Sequence, residues 1–242
     1  MKRSASYWFF VRIPVWFVIL SLAGVFPLRW VPVRYTPLML KRAFQNRNVE
    51  NYHTEQEWVS LEYISPELIK AVLAGEDSRF YEHHGFDWDE IHSVLRAHRQ
   101  DGARLRGCST ISQQTVKNVF TFGSHTWVRK SFEAWWTVLI ETIWGKERIM
   151  EVYLNVVELG PGIYGVGAAS NVYFHKPTGK LSANDAATLA ACLSSPLDNQ
   201  PGNLTARAKN KKRIIIERMP QVSLPAGSSR QAVWKYNYRA GQ

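Results

Sequence analysis

Cysteine is nearly absent. The 242-residue chain has two, Cys108 and Cys192, too few and too far apart for a disulfide framework or a cysteine-rich zinc site. Spacing leaves one disulfide between them open. Strand-type alternation is scarce and no internal repeat is present. Acidic residues are rare at both ends. Residues 1–50 carry eight Lys or Arg against Glu50, and residues 203–242 carry nine against Glu217. The net charge of +10 therefore divides into +7, −5 for residues 51–202, and +8. Basic ends suit nucleic acid, anionic lipid or a phosphorylated substrate. No zinc-finger pattern or RNA-binding signature accompanies them, so no nucleic-acid partner is expected. What is abundant is apolar side chain, 45% of the residues. That is enough for a sizeable core and excludes wholesale disorder.

One apolar run stands out. Tyr7–Leu28 contains a single charge, Arg12. As a helix at ~1.5 Å per residue it covers ~33 Å, against a hydrocarbon core of ~30 Å. The uncharged part, Ile13–Leu28, covers only ~24 Å, so Arg12 must snorkel to an interface. Trp8, Trp16 and Trp30 suit interfacial anchoring. The competing reading is a cleaved signal peptide, but Leu22-Ala23-Gly24 is a poor cleavage site, and an uncleaved anchor is favoured. Lys2 and Arg3 precede the span, while Arg29, Arg34, Lys41 and Arg42 follow it. The charge count therefore does not support a cytoplasmic N-terminus.

The chain divides into an N-terminus with its anchor (1–30), a juxtamembrane connector with Pro32 and Pro37 (31–57), a helical domain (58–219) and a basic tail (220–242). Helix starts are read at Ser65-Pro66-Glu67, Asp87-x-x-Glu90, Thr110-x-x-Gln113 and Ser182-x-x-Asp185. Gly145 divides two apolar-periodic stretches, Val128–Trp144 and Lys146–Val157. A last helix runs Thr205–Met219.

Five stretches carry chemistry, and each has a bland alternative. Glu76–Gly85 sets a carboxylate in a loop after a helix, where it could act as a general base or be a solvated helix end. Gly107–Asn118 sets small residues before a helix N-terminus that would favour an anion, with Gln114 and Lys117 on one face; an ordinary capped helix explains it equally. Arg129 and Glu133 are spaced as a surface i,i+4 ion pair. Lys146–Asn155 reads as an amphipathic helix with Ile149, Val152 and Val156 in the core. Gly162, Gly165 and Gly167 permit close backbone packing, and no strand precedes them to suggest a dinucleotide fold.

Their order is more telling than any one. Glu76-Asp77-x-x-Phe80-x-x-His83-x-Gly85, then Gly107-x-Ser109-Thr110-Ile111-x-Gln113-Gln114-x-x-Lys117-Asn118, then Arg129-Lys130-x-x-Glu133, then Lys146 to Asn155, then Gly162-x-x-Gly165 with Ala168-Ala169, resemble the five motifs of the peptidoglycan glycosyltransferases (glycosyltransferase family 51). The resemblance covers Trp58 to Met219. With one anchor and no room for a transpeptidase domain, it points to the monofunctional branch.

The resemblance implies an all-α, lysozyme-like domain behind a transmembrane helix, with a hydrophobic flank that dips into the bilayer. It implies polymerisation of lipid II into β-1,4 glycan with inversion and loss of undecaprenyl pyrophosphate. Glu76 then matches the general base and Glu133 the second essential glutamate, which orients the cations, the leaving group or a divalent metal. Lys117, Arg129 and Lys130 match pyrophosphate-side positions. Ser109, Thr110, Gln114 and Asn118 match ligand contacts. Asp77, Phe80 and His83 support the Glu76 loop, His83 as a hydrogen bonder. A divalent metal, Mg2+ or Mn2+, is the expected cofactor, with no organic one. Expected partners are lipid II, the nascent glycan, the membrane, and cell-wall synthesis and division proteins. Substrates that face outward place the domain in the periplasm of an inner-membrane protein, sensitive to moenomycin and not to β-lactams. Cys108 stands where the family has Gly or Ala, and Trp135-Trp136 is unusually bulky and is read as core. Two rivals remain: a lysozyme-like hydrolase, which would need no pyrophosphate clamp, and a non-enzymatic scaffold, which would leave the motifs idle.

Overall fold

The computed structural model describes residues 8–102, 107–122 and 127–225, with only the backbone of Trp8, Asp101, Trp127 and Val128. Lys2 and Arg3, and Arg230, Lys235 and Arg239 of the expected basic tail, lie outside the described residues. Within the described residues the protein is mostly α-helical, with three short strands.

A π-helical turn, Trp8–Arg12, leads into α1, Ile13–Val25. The apolar stretch Phe9–Arg29 is long enough to cross a membrane and only 11% buried by the rest of the protein, so it is not a core helix. Its ring of Phe17 packs on Phe132 and Trp135, both at 5.7 Å between centroids. Below it, Trp144 Nε1 donates to Val25 O at 2.8 Å and Arg29 Nη1 to Ile143 O at 2.5 Å. Arg148 Nη2 donates to Leu28 O at 2.8 Å and Val31 O at 2.5 Å.

The expected connector is not mere linker. It forms α2, Pro37–Gln45, whose cap Thr36 accepts from Met39 N at 3.2 Å. Pro37 is the first helical residue, where its missing N–H is harmless. Strand β1, Glu55–Gln56, lies parallel to β3, Ile163–Tyr164, which pairs antiparallel with β2, Glu158–Gly160.

The body follows the sequence signals closely. α3 is Pro66–Glu76. Ser65 precedes it, but its hydroxyl donates to Leu181 O at 3.2 Å instead of capping the helix. Asp87 caps α4, Trp88–Asp101, accepting from Glu90 N at 2.9 Å. Thr110 and Gln113 form a complete capping box on α5, Ile111–Phe120. Gly145, at φ 77°, separates α6, Trp127–Ile143, from α7, Lys146–Val156. Then come α8, Gly165–Phe174, α9, Ala183–Cys192, and α10, Ala206–Arg218.

The core gathers around α3, whose Leu68, Ile69, Val72 and Leu73 are buried beneath α9 and α10. Each such side chain contributes about 1.5–3 kcal/mol. α5 packs on α6 and on α7, where Ile149, Val152 and Val156 are fully buried. Asn155 ties the chain entering the domain to α7: its side chain accepts from Val59 N at 2.7 Å and donates to Val59 O at 2.8 Å. Trp135 and Trp136 are half-buried, and of the two Trp136 packs against the core, as expected. Trp135 faces α1, and Trp136 stacks on Phe120 at 5.6 Å. No disulfide joins Cys108 and Cys192. Burial pushes the Cys192 thiol up to about 12, which leaves it unreactive.

Two stability predictions follow from local geometry. Gly165 has φ 75°, and a Cβ there would stand 2.5 Å from Asn155 O. Gly165→Ala is expected to destabilise the fold by about 1–3 kcal/mol; an unchanged melting temperature in detergent would count against the packing described. The second concerns the α9 cap. Burial works against the Asp185 charge, but Lys176 (2.8 Å) and Ser182 (3.2 Å) outweigh it and hold the carboxyl below its ordinary 3.8. Its stabilisation is full above that value and is lost as pH falls through the folded one. Asp185→Asn should remove that acid-side loss and lower stability at neutral pH by about 1 kcal/mol. An acid denaturation curve identical to wild type would contradict this.

Candidate active site

Glu76 is the last residue of α3, and its carboxylate is held from two sides. Gln114 Nε2, from α5, donates to Oε2 at 2.9 Å. Lys211 Nζ, from α10, lies 2.5 Å from Oε1 and also donates to Ser194 Oγ at 2.5 Å. The Gln114 amide is oriented in turn: its Oε1 accepts from Tyr153 OH at 3.1 Å. Burial first, then the Glu76 and Asp77 carboxylates, raise the Tyr153 phenol well above its ordinary value. Tyr153 therefore stays a donor, and the amide nitrogen stays turned to Glu76.

Asp77 and His83 are both buried and form the hub of the loop after α3. His83 Nδ1 accepts from Gly85 N at 3.2 Å, which leaves the proton on Nε2, facing Asp77 Oδ1 and Oδ2 at 3.0 and 3.1 Å. Phe80 is fully buried beneath them, with the Lys146 ammonium 4.4 Å above its ring.

The α5 terminus differs from the sequence expectation of free N–H groups awaiting an anion. Ile111 N donates to Asp77 Oδ2 at 3.0 Å, so the anion at this terminus is the protein's own. Thr110 is buried, caps the helix, and donates its hydroxyl to Gly85 O at 2.7 Å. It braces the two loops against each other. Ser109 is exposed, and its carbonyl accepts from Gln114 Nε2 at 3.3 Å.

A separate cavity is lined by each partner of the Glu76–Gln114 bond. One of about 410 Å³ is lined by Glu76, Asp77, Arg79, Cys108, Ser109 and Arg218. The other, of about 320 Å³, is lined by Arg42, Gln114, Lys117, Asn118, Ser194 and Asp198. Lys117 is exposed on its wall, while Asn118 is buried.

Arg129, Lys130 and Glu133 form a cluster of their own on α6, which packs along α5. The i,i+4 spacing suggested a surface ion pair, but Glu133 is 2% exposed. Its Oε1 accepts from Arg129 Nη1, and Lys130 Nζ lies 3.4 Å from Oε2. This donor set does not fit a resident divalent metal, because both carboxylate oxygens already face cations. Among the described residues no three His, Cys, Asp or Glu side chains gather as a metal site.

Lys211 and Ser194 complete the site without having been singled out in the sequence, and Tyr153, a residue of the fourth motif, completes it in a role that the motif alone does not give. Lys211 falls on one helical stripe with Ala208 and Ile215, a visible cue. Tyr153 lies on the core face of α7, four residues after Ile149, and a buried tyrosine hydroxyl needs a partner.

Comparison with known proteins bears on the chain as a whole. A family model described as Transglycosylase matches residues 43–220. A biosynthetic peptidoglycan transglycosylase of Pasteurella multocida is 49% identical over 149 residues, covering 62% of this chain and 60% of that protein. One from Rhodospirillum centenum is 49% identical over 152 residues, covering 63% and 65%. One from Pseudomonas aeruginosa is 45% identical over 184 residues, covering 76% and 79%. The chain thus spans less than two thirds of the first two relatives and about four fifths of the third. With the family match running through most of its length, from α2 to the turn after α10, the chain belongs to the transglycosylase family.

Proposed function

We propose that this protein is a peptidoglycan glycosyltransferase that polymerises lipid II, with Glu76 as general base. The observation that carries the reading is the Glu76 carboxylate, which lines one cavity and is oriented by Lys211 and by Gln114, itself on the wall of a second cavity. The GlcNAc 4-hydroxyl of the acceptor gives its proton to Glu76, and its oxygen attacks C1 of the donor MurNAc. The bond from C1 to the pyrophosphate breaks, and undecaprenyl pyrophosphate leaves with the electron pair. The α-linked donor becomes a β-1,4 product, so the step inverts. A pyrophosphate leaves readily, and cations matter more than a strong general acid. Lys117, Arg129 and Lys130 fill that role. A divalent Mg2+ or Mn2+, where one takes part, would supply further positive charge to the leaving group, and Glu133, already facing Arg129 and Lys130, would not hold it.

The α1 helix anchors the protein in the inner membrane with the domain on the periplasmic side, where lipid II and the growing glycan are presented. Cell-wall synthesis and division proteins are its further partners. A C-terminal reporter active only in the cytoplasm would overturn this orientation.

The test of the reaction is incubation of the purified full chain with labelled lipid II. Glycan polymer is expected, inhibited by moenomycin and untouched by β-lactams. Release of muropeptides from finished sacculi without polymer formation would replace this reading with a lytic one.

A further inference from the structure

We infer that Lys211 is a positioning residue for Glu76, reaching that carboxylate from the last helix of the domain. The inference rests on Glu76 being the general base and names what holds that base in place. Its first support is the placement of Lys211 on the inward face of α10, between the buried Ala208 and Ile215. A lysine beside apolar surface ordinarily carries its ammonium outward to water. Here the ammonium turns inward, 2.5 Å from Glu76 Oε1 and 2.5 Å from Ser194 Oγ.

The second support is the close approach of α10 to α3 beside Glu76. A Cβ on Gly75 would stand 2.9 Å from Ile215 Cδ1 and 3.8 Å from Lys211 Cε. The side chains of α10 therefore lie directly on α3 at the residue before Glu76.

The third support is the division of labour on the carboxylate. Lys211 takes Oε1 and Gln114 takes Oε2. The terminal carboxylate torsion is broad and weakly restrained by its own stem. Two donors from different helices fix its plane, whereas one leaves it free to turn. Ser194 lines one cavity and Glu76 the other, so the ammonium also spans the wall between them. A general base must lie within hydrogen-bond reach of the proton it takes.

The test uses the full-length protein in detergent with labelled lipid II, and circular dichroism to establish folding. Lys211→Met is expected to lower kcat by about 10²-fold, the scale of a misplaced reacting group, with KM little changed. In a Glu76→Gln background the same substitution is expected to have no further effect on the residual rate, because it acts through that carboxylate. Lys211→Gln stands in, under the same criteria, should the methionine variant not fold. A wild-type kcat in the folded variant, a loss confined to KM, or full additivity with Glu76→Gln would each overturn the inference. A wild type that polymerises beside an unaffected Lys211→Met removes the inference alone. A wild type that makes no polymer removes the assignment of Glu76 and the inference with it.

Discussion

Glu76→Gln is expected to lower the rate of lipid II polymerisation by about 10²–10⁴-fold, the range spanned by a lost general base. Glutamine preserves the shape of the side chain and one acceptor oxygen. Lys211 keeps its second partner, Ser194, and is 23% exposed, so the loss of its counter-charge is softened by water. The fold should therefore survive, and a melting curve close to wild type is part of the expected result. The loss should fall on kcat and kcat/KM together, since the proton moves only in the transition state. Wild-type polymerisation by a folded Glu76→Gln protein would refute the assignment of the base. Such a result would not touch the family membership, which rests on the whole domain.

Glu133→Ala should have the largest effect on stability, a loss of about 3–5 kcal/mol. The reason is burial. Glu133 is 2% exposed, and the Arg129 side chain is only 17% exposed. Removing the carboxylate takes the Glu133 counter-charge from a guanidinium in a poorly hydrated place. Replacing both partners by apolar residues avoids that situation, so Arg129→Met with Glu133→Leu should recover most of the lost stability. The double variant should still fail to polymerise lipid II, because Arg129 would be missing from the pyrophosphate side. Denaturant unfolding in detergent reads the first effect and a polymerisation assay the second. A single variant as stable as wild type would mean that the buried pair contributes nothing. A double variant that polymerises normally would remove Arg129 from the reaction.

Much of the fold was written in local signals. Thr110 with Gln113, Ser182 with Asp185, and the break at Gly145 each act within one turn of chain, and each appears where the spacing placed it. Short elements carry weaker signals. Glu55–Gln56 becomes a strand only because β3 lies beside it, and Pro37 reads equally as linker punctuation and as a first helical residue. The site follows the same division. The motifs brought Glu76 and Gln114 into view, but the bond between them spans 38 positions. Lys211 lies 135 positions from Glu76. Its inward stripe is legible, whereas its partner is not, and its charge was counted with the basic C-terminal end. Asp77 was seen as part of the Glu76 loop. That it fills the N-terminus of α5 depends on how two loops pack, which no spacing in one loop reveals.

The junction below α1 has a bearing on how the proposed enzyme would search. Trp144, Arg29 and Arg148 bond the backbone at Val25, Ile143, Leu28 and Val31. An enzyme on a leash explores a hemisphere around its point of attachment. If α1 is the anchor proposed above, these bonds tie its lower end to the domain and restrict the height and tilt of the cleft over the bilayer. For a substrate confined to the same sheet, encounter becomes a problem in two dimensions, with the approach angle already settled before the molecules meet.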